Sequence, residues 1–288
     1  MAQITAALVK QLREMTDSPM MECKKALVEA DGDIEKAVDV LRTMGLAKAV
    51  KRAGRDTNEG TIAAYITDDG KVGSLVELTC ETDFVGTNAK FRAFALELAK
   101  VVAACNPATL DEFLACPMNG STVDEELKES IHVIGENQKI NRFCRVATEG
   151  ALVSYIHHDG KHADLVEFSV GTPETVVNEA FQSFGRDVAM QCIAMNPIAA
   201  TRDDVPADVV AHELEIAKAQ AANSGKPEAI QEKMALGKLE KYYKENVLSE
   251  QAFVKDGSLT VSQLAEKVSK ELGDTIELVS FVRYNFGE

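Results

Sequence analysis

Tryptophan is missing from this 288-residue chain, so every large aromatic contact falls to 11 phenylalanines and five tyrosines. Long apolar runs are missing too. None approaches the roughly 18 residues that cross a membrane, and Met1-Ala2-Gln3-Ile4 does not open a signal peptide. The six cysteines, at 23, 80, 105, 116, 144 and 192, form no CxxC pair. Several sit in apolar helical or strand patterns, which predicts reduced thiols and a cytoplasmic setting. Cations are in deficit: 31 Lys and Arg face 46 Asp and Glu, for a formal net charge of −15. A general nucleic-acid binder releases counterions with clustered cations, so this balance argues against one. An acidic surface suits a protein that meets other proteins. There is no GxxxxGK(S/T) phosphate loop, and Asn223-Ser224-Gly225-Lys226 only echoes one, so direct nucleotide binding is not expected. His157, His158 and His162 fall on one hairpin turn, but no cysteine or further histidine completes a ligand set. Neither a metal nor a cofactor is expected, and no nucleophile–base spacing points to an enzyme.

What the chain does have is an internal echo. Glu59–Pro107 aligns without a gap on Glu149–Pro197, and 18 of the 49 positions are identical. Glu-Gly opens both copies and Asn-Pro closes both. Asp69-Gly70-Lys71 matches Asp159-Gly160-Lys161, and Phe91 and Phe94 match Phe181 and Phe184. Positions kept in both copies hold the fold, and a local divergence marks what one copy does alone.

Each copy reads strand, turn, strand, loop, helix. In the first, Thr61 to Ile66 and Lys71 to Cys80 flank the turn Asp68-Asp69-Gly70. Asn88 then caps a helix whose apolar stripe is Phe91, Phe94, Ala95, Leu98 and Val102. A further helix over 123–134 and a strand over 140–147 complete the first half. Ahead of the repeat, residues 1–46 read as three short helices. Ser18 is expected to cap the second, with Pro19 as its first residue, and Gly32 to end it. Asp33 caps the third, which is expected to stop at Gly45. Residues 47–58, basic and small, read as a linker. Beyond the second copy, 206–222 and 227–246 form a helical hairpin joined by Asn223 to Lys226, with alanines on the facing stripe. A helix over 261–272 and a closing strand over 276–286 follow. The fold class is therefore α+β: two small antiparallel sheets with helices, over 59–148 and 149–288, the second carrying the hairpin insertion 206–246.

The copies part between strand and helix. Thr82-Asp83-Phe84-Val85 stands against Thr172-Pro173-Glu174-Thr175. A carboxylate beside a large aromatic, on a loop before a helix, is a candidate protruding contact. The plain alternative is that Phe84 caps the local core.

Several motifs occur in a specific order: Leu12-Arg13-Glu14, Met20-Met21-Glu22-Cys23-Lys24-Lys25-Ala26-Leu27, Asp31-Gly32-Asp33, Thr82-Asp83-Phe84-Val85, Gly135-Glu136-Asn137 and Ser224-Gly225-Lys226-Pro227. Along essentially its whole length the chain resembles the bacterial elongation factor Ts family, the nucleotide exchange factors of elongation factor Tu. The resemblance implies a ubiquitin-associated-like (UBA-like) bundle, a two-subdomain core and a protruding antiparallel coiled-coil hairpin. It implies that Thr82, Asp83, Phe84 and Val85 intrude beside the magnesium site of the partner's GTPase domain. It further implies docking of the bundle on that domain through Met20 and Met21, and contacts of Asp187 and Gln191 with a second domain. Glutamine stands at 191 where many relatives have histidine. The rival class is a protein-interaction adaptor or chaperone-like scaffold without exchange activity.

Overall fold

Three helices open the chain. The structure, a computed structural model, describes residues 4–158 and 160–288, and of Leu46 and Val50 the backbone alone. Helix α1 (Ala6–Thr16) starts where the Thr5 hydroxyl accepts from the Leu8 N–H, and it ends at left-handed Asp17. Helix α2 (Met20–Glu29) begins one residue later than the sequence suggests. Pro19 takes the capping position, and Ser18 does not cap. Its hydroxyl is instead buried, 3.3 Å from Nε2 of His132. Helix α3 (Ile34–Arg52) is capped by Asp33, which accepts from the Lys36 N–H at 3.1 Å. It does not stop at Gly45 but absorbs the first part of the expected linker. The glycine serves close packing rather than termination: a Cβ there would lie 3.0 Å from Cγ of His132. Helix-forming Ala47, Lys48 and Ala49 carry the turn onward, with Ala49 buried. Val9, Leu12, Cys23, Ala26, Leu27, Ala37 and Leu41 form the core of this bundle.

The first repeat follows as β1 (Glu59–Ile66), β2 (Val72–Cys80), a one-turn helix α4 (Asp83–Gly86), and α5 (Ala89–Cys105). Then come α6 (Leu110–Ala115), a two-residue pair β3 (Pro117–Met118) and β4 (Ser121–Thr122), α7 (Val123–Ile134) and β5 (Gln138–Ala147). The sheet runs β1-β2-β5. The Asn88 cap forms as expected, and Phe91, Ala95, Leu98 and Val102 are fully buried.

The second repeat gives β6 (Ala151–Ile156), β7 (His162–Val170), a one-turn α8 (Pro173–Val176) and α9 (Glu179–Met195). The expected hairpin appears as α10 (Ala207–Ala222) packed on α11 (Glu228–Asn246), with Ala217, Ala221 and Ala235 buried. A short pair β8 (Ala252–Phe253) and β9 (Asp256–Thr260), then α12 (Val261–Leu272) and β10 (Ile276–Asn285), close the chain. The sheet is β6-β7-β10, antiparallel throughout, with a bulge between Leu278 and Ser280. Phe168, Phe181 and Phe184 pack together in its core in edge-on and tilted pairs, ring centroids 5.3–6.5 Å apart. Asp159, in the turn expected between β6 and β7, lies outside the described residues.

By spatial contact the chain divides into two units, Met1–Ala63 with Val76–Cys144, and Ala64–Leu75 with Arg145–Phe286. The tip of the first hairpin thus packs inside the second unit. There Leu152 N–H donates to Gly70 O, and Thr148 N–H to Lys71 O, both at 2.9 Å. No helix of the described residues is long and apolar enough to cross a membrane.

One position in the second unit makes stability depend on pH. Asp164 on β7 is fully buried where the first copy has Ser74. Burial raises its carboxyl well above the usual range, and the Tyr155 N–H, the Cys192 thiol and the Arg283 cation offset only part of that. A carboxyl raised in the folded state contributes stability that is full below about pH 3.9 and is lost as pH rises through the folded value. Asp164→Asn removes this loss. In urea denaturation the variant should gain on the wild type between about pH 4 and pH 7.5, and parallel curves would refute the account.

Candidate functional site

The segment read from sequence as a loop is the helical turn α4, and it is fastened at both ends. At its start the β2 strand runs out, leaving the N–H groups of Glu81 and Thr82 without sheet partners. Glu136 supplies them. Its Oε2 accepts from the Glu81 N–H (3.1 Å) and the Thr82 N–H (3.0 Å), and its Oε1 accepts from the Thr82 hydroxyl (2.6 Å). The clamp is reciprocal, because Glu81 Oε1 accepts from the Asn137 N–H at 2.7 Å and pairs with Arg55 at 3.3 Å. At the far end the Thr87 hydroxyl donates to Asp83 O (3.0 Å), and Arg92 Nε donates to Gly86 O (3.1 Å). Gly86 is required by close approach, since a Cβ there would sit 3.0 Å from the carbonyl oxygen of Gly60 on β1.

On this fastened turn Phe84 stands 83% exposed. It does not cap the local core, which removes the plain alternative. Asp83 beside it is exposed, and Val85 is half-buried. Thr82 faces inward as the clamped residue, so it positions the turn rather than presenting a surface. Met20 and Met21, in the same unit, are also exposed, at 51% and 63%. The two positions expected from the second unit fare differently. Asp187 is partly exposed and pairs with Lys255 at 2.7 Å. Gln191 is fully buried, with Nε2 donating to Gln251 Oε1 and Ala252 O (both 3.2 Å) and Oε1 accepting from the Val254 N–H (3.0 Å). Its amide is saturated inside the unit, which takes it off any docking surface.

The second copy keeps the clamp and loses the contact. Asp274 Oδ2 accepts from the Thr172 N–H (3.1 Å), the Thr172 hydroxyl (3.2 Å) and the Thr175 hydroxyl. These bonds, the Thr175 hydroxyl first, hold its carboxyl below the usual range. Glu136 and Asp274 each follow a left-handed glycine that ends a 12-residue helix, Gly135 after α7 and Gly273 after α12. Sequence reading gave neither carboxylate this task. The available signal was a second half of the repeat: Val123 to Val261, Gly135 to Gly273 and Gln138 to Ile276 are all 138 apart. The inserted hairpin hides that offset behind the first one of 90.

The three neighbouring histidines lie close together at the turn between β6 and β7. The ring centroids of His157 lie 4.4 Å from those of His158 and 6.2 Å from those of His162, and no ligand group of three forms among the described residues. The clamp itself is testable. Glu136→Ala strips a charged acceptor from two N–H groups and a hydroxyl. It should lower stability by about 3 kcal/mol in urea unfolding, with fast amide exchange at Glu81 and Thr82. Unchanged protection at these two amides would refute the role.

A family model described as Elongation factor TS matches residues 81–288. A protein of Clostridium perfringens (strain SM101) named Elongation factor Ts is 47% identical over 287 residues, covering 99% of this chain and 93% of its own. Proteins of the same name are similar at 45% over 289 residues in Clostridioides difficile, covering 100% and 94%, and at 44% over 289 residues in Clostridium kluyveri, covering 99% and 93%. A repeat with its clamp kept in both halves, an exposed Asp83-Phe84 kept in one, and matches of this extent lead to one assignment: the chain belongs to the elongation factor Ts family.

Proposed function

We propose that this chain is a cytoplasmic translation elongation factor that binds elongation factor Tu·GDP and speeds GDP release, so that GTP can load. The carrying observation is Phe84, a large apolar side chain 83% exposed on a turn fastened at both ends. The Asp83-Phe84 turn is the wedge, with Thr82 and Val85 as its base. The UBA-like bundle, through Met20 and Met21, docks on the same GTPase domain. The second repeat, with Asp187 at its surface and the hairpin as a coiled-coil arm, meets another domain. No residue of the chain acts as a catalyst in this scheme, and the nucleotide and the magnesium ion belong to the partner.

The energetics follow from linkage. A factor that binds the nucleotide-free partner best weakens nucleotide binding by the same ratio. A thousandfold faster release needs about 4 kcal/mol of differential interaction. Burying one phenylalanine contributes about 1.5–3 kcal/mol, so Phe84 supplies part and Asp83, the bundle and the second repeat supply the rest. Magnesium demands near-ideal octahedral geometry and keeps several waters. A turn that displaces its ligands slightly therefore loosens it without chelation by Asp83. Rigidity matters here, because a floppy loop would lose contact energy in being ordered.

Release of labelled GDP from elongation factor Tu, with and without the chain, separates exchange from adaptor binding. Phe84→Ala should slow stimulated release about tenfold to a hundredfold while weakening complex formation far less. Stimulated release that does not respond to Phe84→Ala sinks the wedge, and binding without any stimulated release favours the adaptor.

A further inference from the structure

Inside the first unit lies a buried polar cluster that the exchange scheme does not use. The side chain of His132 on α7 is wholly buried, with Nε2 3.3 Å from Ser18 Oγ and Nδ1 3.5 Å from Glu22 Oε2. The α3 backbone at Gly45 rests on the ring. Glu22 Oε1 pairs with Lys48 of α3, and Arg52 Nη1 donates to Ile131 O at 3.1 Å. The Cys23 thiol donates to Ser18 O at 3.5 Å. One imidazole thus stands where α2, α3 and α7 meet.

The order serine, histidine, glutamate is that of a hydrolase relay. Ser18 is fully buried, however, so its hydroxyl meets no substrate, and what the cluster can do is hold position. Nδ1 and Glu22 Oε2, 3.5 Å apart, make no hydrogen bond, and neither has another hydrogen-bond partner among the described residues. We assign the neutral tautomer in which Nε2 accepts the Ser18 O–H. A proton added at Nε2 turns that acceptor into a donor. Ser18 must then rotate, and its own proton loses its acceptor. The new charge also faces Lys48 and Arg52, with Glu22 alone opposing them. Two further ion pairs between bundle and core, Lys90 to Asp17 (2.8 Å) and Arg42 to Glu125 (3.5 Å), are exposed and of little weight, whereas the Arg52 bond to Ile131 O also ties α3 to α7.

We propose that Ser18, Glu22 and His132 form an acid-released latch that seats the N-terminal bundle on α7, with His132 as the positioning residue for the Met20-Met21 face. The latch stands on the geometry above; its consequence for exchange rests on the proposed function. Burial holds the imidazole below its usual range, Glu22 opposes this, and Lys48 and Arg52 add to it. With a depressed folded value, the latch is full above the ordinary histidine range and is lost as pH falls through the folded value.

The test uses the full chain between about pH 7.5 and pH 5.5. Stimulation of GDP release by the wild type should fall in acid, towards a limit of about tenfold per pH unit. His132→Gln, which takes no proton there, should lack this limb when compared under the same conditions. Ser18→Ala removes the O–H that favours the neutral ring, so it should move the limb to higher pH. A limb shared by His132→Gln, or unmoved by Ser18→Ala, overturns the proposal. If no exchange occurs at any pH, the exchange reading fails and NMR still decides the latch. His132 ring signals and α2 amides shifting together support it, whereas an ordinary histidine titration with unmoved α2 amides overturns it.

Discussion

When a strand ends and the chain turns away, its last N–H groups lose the sheet and need another acceptor. In both repeats a carboxylate from a distant segment accepts from the threonine N–H, Glu136 from Thr82 and Asp274 from Thr172, while the Gly171 N–H finds the backbone oxygen of Thr275 instead. Everything about the candidate site depends on this arrangement. It fixes where the one-turn helix begins and lets the next residues point outward without fraying. A charged acceptor is also stronger than a neutral one, so the turn is stiff in spite of being short and exposed.

The two copies show what the clamp permits. Once the backbone is held, the side chains at the tip are free to vary. One copy places Asp83 and Phe84 there, the other Pro173 and Glu174. In the second copy Thr175 and Val176 are buried and the turn closes on its own unit. In the first copy the aromatic has no intramolecular use, and exposing it costs hydrophobic stabilisation that only a partner can return. Stiffness and exposure together make the turn suited to pushing against another protein.

Much of this was legible in the sequence because it is local. Caps at Asp33 and Asn88, the turn at Gly70, the alanine stripe of the hairpin and the repeat of 90 all depend on neighbours in the chain. The failures involve distant partners. Ser18 looks like a cap from its neighbours, yet a histidine 114 residues away claims its hydroxyl. Gly45 looks like a helix end, yet the same histidine explains it through packing. Gln191 looks available on a helix, but residues 251 to 254 surround its amide. Glu136 belongs to a recognisable motif, and its task appears only when strand β2 is placed beside it.

The hairpin enters and leaves the second unit at one spot. Ala199 and Val247 form a parallel bridge, Ile198 N–H donates to Asn246 O at 2.9 Å, and Leu248 N–H donates to Ala199 O at 2.9 Å. The first repeat has no element at the corresponding place, because at the offset of 138 its short α6 matches residues 248–253, past the hairpin. Such an insertion behaves as a cassette whose ends are already tied together. Adding equal numbers of turns to α10 and α11 lengthens the arm by about 1.5 Å per residue in each helix without shifting the sheet or the clamp. The length of this hairpin can therefore evolve separately from the clamped turn.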